Sequence, residues 1–329
     1  MKSATFPLRG VHHVSTLSAR IEHTHDFYPR VMGLRPIIKT VNQDDPSMYH
    51  LFYGDGAAST GSDLTVFDLP HAAREHRGNN SISRTTFRIH GDEAFEFWEK
   101  RLDEQNVDHR SVTIRDGRTV LDFDDPLGTA LSLVEDGGEV DAFPWDGSPV
   151  PAGYQVRGLG YVEITVPAFE PTDQFLTGAI GLHHDHTYPF GDAPQFEVHV
   201  YIIGRGGAHA EIHVLVRDDL PRANYGSGGV HHVALRVPEA EQMSGWVEKL
   251  GQLGYHNSGI VNRHYFRSIY VREPNGVLFE LATDGPGFFI DGPIDAERLS
   301  LPPFLEPNRL EIESALKPLT RVSASEPTA

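Results

Sequence analysis

The sequence predicts an α+β protein built from four copies of one structural unit. Three observations support this fold class. The motif VHHV occurs at 11–14 and again at 230–233, each time inside a short strand-like run. A stretch of helical periodicity follows each run and stops at Gly or Asn, and alternating apolar and polar stretches typical of strands come next. Because four segments of about 50 residues fit this template, repetition determines the architecture.

The opening strand and helix of each unit are recognised by a spacing of 20 or 22 residues from the strand to the end of the helix. In unit one the helix candidate spans 21–32, and Gly33 ends it in the manner of a glycine C-cap, 20 residues after His13. The corresponding distance is 22 residues from Arg84 to Asn106 in unit two and 20 from Tyr161 to Gly181 in unit three. In unit four it is 22 residues from His232 to Gly254, and the helix candidate spans 240–250.

The closing strands of units two and four start from the same turn. An acid-Pro-x-Gly turn stands at 125–128 and again at 273–276, and the fourth residue after its glycine is Ser132 in unit two and Glu280 in unit four. Glu280 lies within the apolar run VLFELA. A carboxylate buried there needs a partner, which is either a metal ion or an arginine.

Composition excludes several classes of function. The formal net charge of −18 argues against nucleic-acid binding, which needs clustered Lys and Arg. No run of about 18 apolar residues could span a membrane, and the N-terminus lacks the apolar core of a secretory signal. We therefore expect a cytoplasmic protein with neither nucleic acid nor membrane as a partner.

The residue counts also restrict the metal chemistry. The chain has no cysteine and 19 histidines, so a metal must bind mainly to His, Asp or Glu. Two imidazoles and one carboxylate, here His13, His232 and Glu280, form the facial triad suited to Fe(II) or Mn(II). Adjacent strand residues point to opposite faces unless a bulge intervenes, so His12 and His231 remain rivals as ligands.

Other polar clusters are weaker candidates for a site. The run HHDH at 183–186 follows a helix stop, where a solvated loop is expected. Glu211, His213 and Asp68 could each supply a ligand to a second site. A Pro-rich segment follows 284 and is expected to pack on the body of the protein, with a functional lid as the alternative; a short helix is expected at 309–316.

Several stretches carry a resemblance to a known family: VHHVSTL, FYPRVMGLR, MYHLFYGD, GVHHVALRV and the run at 262–272 leading into GVLFE. The chain is similar to the ring-cleaving dioxygenases of the hydroquinone (para-diol) branch of the vicinal oxygen chelate superfamily. The resemblance implies tandem βαβββ modules that form two open barrels. It implies Fe(II), with Mn(II) as the alternative, bound at positions matching His13, His232 and Glu280, and no organic cofactor.

The same resemblance implies residues that surround the metal. They match Ser15, His231, Arg263 and Tyr270, with His12 nearby. Ser15 stands where threonine is expected, which preserves the hydroxyl group. Tyr270 and His231 would carry protons, and Arg263 would stabilise negative charge on bound oxygen or on the distal hydroxyl.

The predicted ligand set fixes which modules meet. Because His13 belongs to module one and the other two ligands to module four, these modules must pair around the metal, leaving modules two and three to form the second barrel. The predicted organisation is an N-terminal half 1–140 with modules at 8–70 and 80–136, a linker 141–156, a C-terminal half 157–284 with modules at 157–217 and 228–284, and an extension 285–329.

The sequence and the resemblance together predict a non-haem Fe(II) dioxygenase that opens a para-dihydroxylated aromatic ring with O2, a hydroquinone 1,2-dioxygenase-like enzyme. The alternatives left open are a catechol-type extradiol dioxygenase, a glyoxalase-like metal-dependent lyase or isomerase, and a non-enzymatic small-molecule binding or resistance protein. A homo-oligomer is compatible with the sequence.

Overall fold

The computed structural model describes residues 6–191 and 193–319. Within these ranges the chain forms two eight-stranded sheets, and short helices pack against them. No helix in the described ranges is both long enough and apolar enough to cross a membrane.

The first two units supply eight strands and two α-helices. Unit one comprises β1 (Val11–Ser18), α1 (Ile21–Arg30), β2 (Arg35–Asn42), β3 (Asp45–Gly54) and β4 (Asp63–Asp68). Unit two comprises β5 (Ser81–Ile89), α2 (Asp92–Glu104), β6 (Thr113–Arg115), β7 (Arg118–Asp124) and β8 (Ala130–Glu135), and a 3-10 turn follows at Ala152–Tyr154.

The last two units repeat this arrangement. Unit three comprises β9 (Leu159–Val166), α3 (Phe169–Asp173) continued by a π-helical stretch (Gln174–Ile180), β10 (His183–Pro189), β11 (Glu197–Ile202) and β12 (Glu211–Val216). Unit four comprises β13 (Val230–Val237), a 3-10 turn (Ala240–Gln242), α4 (Met243–Gln252), β14 (Val261–Asn262), β15 (Phe266–Arg272) and β16 (Leu278–Pro286). A 3-10 turn (Glu306–Asn308) and α5 (Arg309–Ala315) follow.

Strand order shows which units share a sheet. One sheet runs β14-β15-β16-β13-β1-β4-β3-β2, and the other runs β10-β11-β12-β9-β5-β8-β7-β6. At the centre of each sheet two opening strands pair antiparallel, β1 with β13 and β5 with β9. Modules one and four therefore share one curled sheet, and modules two and three share the other. This confirms the predicted fold class of tandem βαβββ modules forming two open barrels.

Two β-bulges interrupt the pairing of β1 with β13, and each one lies at a histidine pair. The register skips His12 on β1 and His231 on β13, so two residues oppose one at both places. A bulge residue does not follow the alternation of a regular strand. The exception attached to the expected alternation therefore applies here, and the Nδ1 atoms of His12 and His13 lie 2.9 Å apart.

The helix ends differ slightly from the predicted ones. Helix α1 ends at Arg30 rather than at 32, because the N–H groups of Val31 and Met32 both donate to the Phe27 carbonyl and widen the last turn. Gly33 then adopts the left-handed conformation expected of it, with φ 69°. The helix predicted at 240–250 begins as a 3-10 turn and continues as α4, and the one predicted at 309–316 ends one residue early.

The sequence also predicts the structure of the run at 183–186 and of the Pro-rich segment after 284. The run at 183–186 is not a loop but the start of β10, an exposed strand at the edge of the second sheet. The Pro-rich segment after 284 packs on the body, as expected: the Ser300 N–H donates to the Lys39 carbonyl, and Leu301, Leu305 and Ile312 join the main core.

Candidate metal centre and substrate cavity

Three donor atoms from two modules converge at the centre of the first sheet. His13 on β1, His232 on β13 and Glu280 on β16 are all buried. Their imidazole Nε2 atoms lie 3.1 Å apart, and Glu280 Oε2 lies 3.3 Å from His13 Nε2 and 2.8 Å from His232 Nε2. Ligands held about 2.1 Å from a cation at about 90° to one another are about 3 Å apart. The spacing therefore fits three facial positions around one ion.

Among the described residues, the ionisable groups beside the Glu280 carboxylate are the rings of His13 and His232. The Glu280 side chain is fully buried, and neither carboxylate oxygen forms a well-directed hydrogen bond to any described residue. Burial raises the pKa of Glu280, whereas protons on the adjacent His13 and His232 would hold that pKa well below its ordinary value. The arginine partner left open by the sequence does not occur among the described residues. An ionised carboxylate in this position needs a cation.

The hydrogen-bond partners of His12 assign the proton positions of its neighbour. His12 Nε2 lies 3.1 Å from the Thr283 carbonyl, so Nε2 carries the hydrogen and Nδ1 is an acceptor. Burial and the neighbouring His13 lower the pKa of His12 to about 3, which keeps it neutral. His13 Nδ1–H must therefore donate to His12 Nδ1, and the lone pair of His13 Nε2 faces the Glu280 carboxylate. Two acceptors that face each other in this way form a cation site.

A cavity of about 280 Å³ opens beside these donors. Six of the eight residues singled out from the sequence line it: His13, Ser15, His231, His232, Arg263 and Tyr270. His12 and Glu280 do not line it, because they lie behind the inner wall. Much of the remaining wall is apolar, formed by Leu17, Phe52, Phe67, Leu69, Phe266 and Leu278. An apolar cavity of roughly 150 Å³ is enough to hold benzene, so this cavity is large enough for one substituted ring.

Arg263 and Tyr270 form one side of the cavity. Arg263 Nε donates to Tyr270 Oη at 3.2 Å, and its two Nη atoms lie 3.0 and 3.3 Å from the carboxylate oxygens of Asp44. The Gln43 side chain donates to the Arg263 carbonyl. Burial and the Glu280 charge raise the pKa of Tyr270, although Arg263 opposes them. The tyrosine is therefore a protonated donor that the β2–β3 turn holds in place through Arg263.

Sequence reasoning missed a series of hydrogen-bonded polar groups on the side of the cavity away from Arg263 and Tyr270. The Ser15 hydroxyl lies 3.0 Å from His232 Nε2 and 2.7 Å from the Thr65 hydroxyl, which lies 2.9 Å from His50 Nε2. His50 stands within MYHLFYGD, a stretch singled out only for its resemblance. Alternation along β3 places His50 and Phe52 on one face, and this signal could have identified His50.

The described residues of the second barrel form no comparable centre. At the positions corresponding to the first barrel's ligands, Arg84 donates to the Ser132 hydroxyl, and Tyr161 stacks on His213 with ring centroids 3.9 Å apart. Arg118 donates to both carboxylate oxygens of Glu211. Asp68 lies on β4 without joining a metal cluster.

Elsewhere in the described ranges, a second group that could hold an ion is an exposed to half-buried set, His90, Glu135 and Asp136. Asp136 is already paired with two arginines.

Comparison with known proteins places this geometry in a family. The model of the glyoxalase/bleomycin resistance protein/dioxygenase superfamily matches residues 158–281. MhqA of Bacillus subtilis (strain 168), provisionally named a ring-cleaving dioxygenase, is 46% identical over 315 residues, which cover 95% of this chain and 99% of MhqA. A chlorohydroquinone/hydroquinone 1,2-dioxygenase of Sphingobium indicum is 28% identical over 279 residues, covering 83% of this chain and 84% of that enzyme.

A solved structure agrees with these sequence relatives. The crystal structure of a protein from Bacillus subtilis subsp. subtilis str. 168, provisionally described as a dioxygenase, superposes with a TM-score of 0.86 at 31% identity. The superposition covers 97% of this chain and all of that one. The shared architecture therefore extends over both barrels.

Proposed function

Because the chain belongs to the glyoxalase/bleomycin resistance protein/dioxygenase superfamily, we propose that it is a metal-dependent dioxygenase that opens a hydroquinone-type ring with O2. The observation that carries this proposal is the convergence of His13, His232 and Glu280 at the wall of an aromatic cavity. Three facial ligands leave the other positions of an ion open, and a binding protein would need no such triad. The relative named as a hydroquinone 1,2-dioxygenase supports the choice of substrate class.

The residues present fit an iron ion. His13 Nε2, His232 Nε2 and Glu280 Oε2 would hold Fe(II), with Mn(II) as the alternative, since the same ligands suit both metals. When bound, the ion would bring a phenolic oxygen and dioxygen together at its open positions and let electron density pass between them.

The histidine that precedes each proposed ligand is a positioning residue. With a metal on His232 Nε2, the hydrogen of His232 lies on Nδ1 and donates to His231 Nδ1, 2.7 Å away. His231 then carries its hydrogen on Nε2. Burial and the neighbouring His232 lower the pKa of His231 to about 3, so it stays neutral. Because His231 also lines the cavity, it offers an N–H donor to a bound oxygen atom.

Tyr270 and Arg263 act on the opposite flank of the proposed centre. The raised pKa of Tyr270 keeps its hydroxyl protonated, so it can donate a hydrogen bond to a substrate oxygen and pass that proton to the oxygen when negative charge develops there. Arg263 lies against the Tyr270 ring, with its guanidinium carbon 5.3 Å from the ring centroid. Its charge favours negative charge on the tyrosine oxygen or on a nearby substrate oxygen.

The apolar wall orients the ring and limits access of water. Phe266 packs against His12 and His13 with centroid separations of 5.1 Å in both cases. Phe52 on β3 and Phe67 on β4 line the same cavity as Phe266. An aromatic substrate between such rings gains edge-to-face or offset contacts, which fix its plane.

The test begins with metal analysis of protein prepared without oxygen. Wild type, Glu280→Ala, His232→Ala and the surface control His256→Ala are compared for bound iron and then for oxygen uptake with hydroquinone. We expect one iron per chain and uptake in wild type and the control, and neither in the two site variants. Site variants that keep their metal would overturn the ligand assignment.

The remaining outcomes separate the other functions. Metal without oxygen uptake on any diol would indicate a lyase or isomerase. Uptake with catechol but not hydroquinone would indicate an extradiol enzyme. Wild type without metal would indicate a binding or resistance protein.

A further inference from the structure

His50 is a half-buried polar group within an otherwise aromatic part of the cavity wall. Its ring stacks on Phe67, with centroids 3.8 Å apart and planes 18° apart, and lies 4.3 Å from the Phe52 ring. It lines the same cavity as the proposed metal ligands. The function proposed above does not use it.

The hydrogen-bond chain from His232 assigns the proton on His50, and this step rests on the proposed metal site. With a metal on His232 Nε2, Ser15 cannot donate to that nitrogen, so its hydroxyl hydrogen points to Thr65. The Thr65 hydroxyl then donates to His50 Nε2. A neutral imidazole that accepts at Nε2 carries its hydrogen at Nδ1. No described residue is recorded as a hydrogen-bond partner of that Nδ1–H.

The neutral state of His50 follows from its surroundings. Burial, together with nearby His13 and His232, lowers the pKa of His50 well below its ordinary value, and Arg263 acts in the same direction, whereas Glu280 opposes them. The imidazole is thus a fixed donor and not a base.

The position of His50 in the sheet places it at one flank of the proposed metal centre. The proposed ligands lie on the three adjacent strands β16, β13 and β1, whereas His50 lies on β3, two strands beyond β1. Neighbouring strands are about 4.8 Å apart, so β3 lies roughly 10 Å along the curled sheet from β1. Tyr270 on β15 flanks the ligands on the other side. A ring bound at the centre by one oxygen extends its far side toward one of these two flanks.

We propose that His50 is a specificity-determining residue that donates a hydrogen bond from Nδ1 to the substrate oxygen that is not bound to the metal. A ring with a second oxygen satisfies this donor. A ring without it covers this N–H and leaves it unpaired, which costs binding free energy. Thr65 and Ser15 position His50 by holding its tautomer.

The test measures binding under anaerobic conditions, so that no turnover occurs. Dissociation constants of hydroquinone and of phenol are compared in metal-loaded wild type, His50→Phe and Thr65→Val. His50→Phe keeps an aromatic ring in the stack and removes the N–H, and Thr65→Val keeps the shape and removes the hydroxyl. Phe67→Leu serves as a control that alters the wall without removing a polar group.

We expect wild type to favour hydroquinone over phenol by about tenfold, the value of one well-formed buried hydrogen bond. His50→Phe should reduce this ratio to about one while phenol affinity and metal content stay unchanged. Thr65→Val should reduce it in part, and Phe67→Leu should weaken both ligands together. Full discrimination in His50→Phe, or equal weakening of both ligands, would overturn the proposal.

Failure of the proposed dioxygenase function and failure of the proposed role of His50 give different results. If wild type binds metal, discriminates the two ligands and loses this discrimination in His50→Phe, but consumes no oxygen, the dioxygenase assignment is wrong and the role of His50 stands. If wild type consumes oxygen with hydroquinone but its discrimination does not depend on His50, the dioxygenase assignment stands and the proposed role of His50 is wrong.

Discussion

The Nδ1 atom of His12 accepts a hydrogen bond from the Nδ1 of His13 across 2.9 Å, and His12 is itself held by the Thr283 carbonyl. Module four repeats the first contact between His231 and His232. VHHV thus produces the same arrangement twice: Nε2 of the second histidine lies in the cluster with Glu280, and the first histidine, at a bulge, contacts Nδ1 of the second.

His12→Ala should therefore weaken metal binding without removing a ligand. Loss of a partner that orients a metal-bound histidine typically costs 10- to 100-fold in affinity. We expect the variant to lose its metal at a correspondingly lower chelator concentration than wild type, measured by dialysis against graded chelator and elemental analysis. His256→Ala, an exposed histidine in module four, is the control. Equal retention by His12→Ala and wild type would show that His12 has no such role.

Glu280→Gln tests whether the buried carboxylate is present for a metal or for the fold. We expect the metal-free variant to have a free energy of unfolding at least equal to that of wild type, because an inadequately paired buried charge is replaced by a neutral group of the same shape. Denaturant unfolding measures this value. A loss of several kcal/mol in the metal-free variant would instead make Glu280 a structural ion-pair partner.

Denaturant unfolding of wild type and Glu280→Gln with metal present completes the test of Glu280. Added metal at 100 times its dissociation constant should stabilise wild type by about 2.7 kcal/mol, because it binds only the folded chain. Glu280→Gln should show no such increase at the same concentration.

Asp44 positions Arg263 from the turn between β2 and β3. Its side chain is 74% exposed, so the pair is screened by solvent and its loss should cost about 1 kcal/mol, or roughly fivefold in kcat/KM. We expect Asp44→Asn to show this decrease at low salt and to approach wild type at high salt. Asp45→Asn, which loses only contacts to Ser47, is the control. A decrease that does not vary with salt would mean that Asp44 acts by another route.

The repeat could be predicted from the sequence because each module is a local pattern. The helix stop at Gly33 requires a left-handed residue, and the strand of Glu280 follows a recognisable turn, so both can be read over a few residues. The pairing of modules one and four was predicted because the implied ligands lie in those two modules, and strand order confirms it.

The contacts between modules could not be predicted in the same way. The bulges at His12 and His231 depend on the register of two strands that are 219 residues apart, and no local pattern encodes it. Asp44 meets Arg263, and His50 joins Ser15 through Thr65, only after the sheet has curled. The roles of the site residues therefore stay predictions that the experiments above address.

Glu75 should make the stability of the fold depend on pH. It packs against Gly229, before β13, so closely that a Cβ atom on Gly229 would lie 2.7 Å from Glu75 Oε1. Burial raises the pKa of Glu75 to about 7 from 4.5, although Arg77 opposes the shift. A carboxyl whose pKa is raised in the folded state contributes stability that is fully present below pH 4.5 and is lost as the pH rises through 7.

Glu75→Gln should remove this loss. We expect the variant to exceed wild type in free energy of unfolding by about 1–2 kcal/mol at pH 8, after allowance for partial solvent screening, and by much less at pH 5. Denaturant unfolding of metal-free protein at the two pH values measures the difference, with Glu93→Gln on the exposed face of α2 as the control. If the two proteins differ equally at both pH values, the carboxyl of Glu75 does not titrate between them, and the effect arises from packing against Gly229.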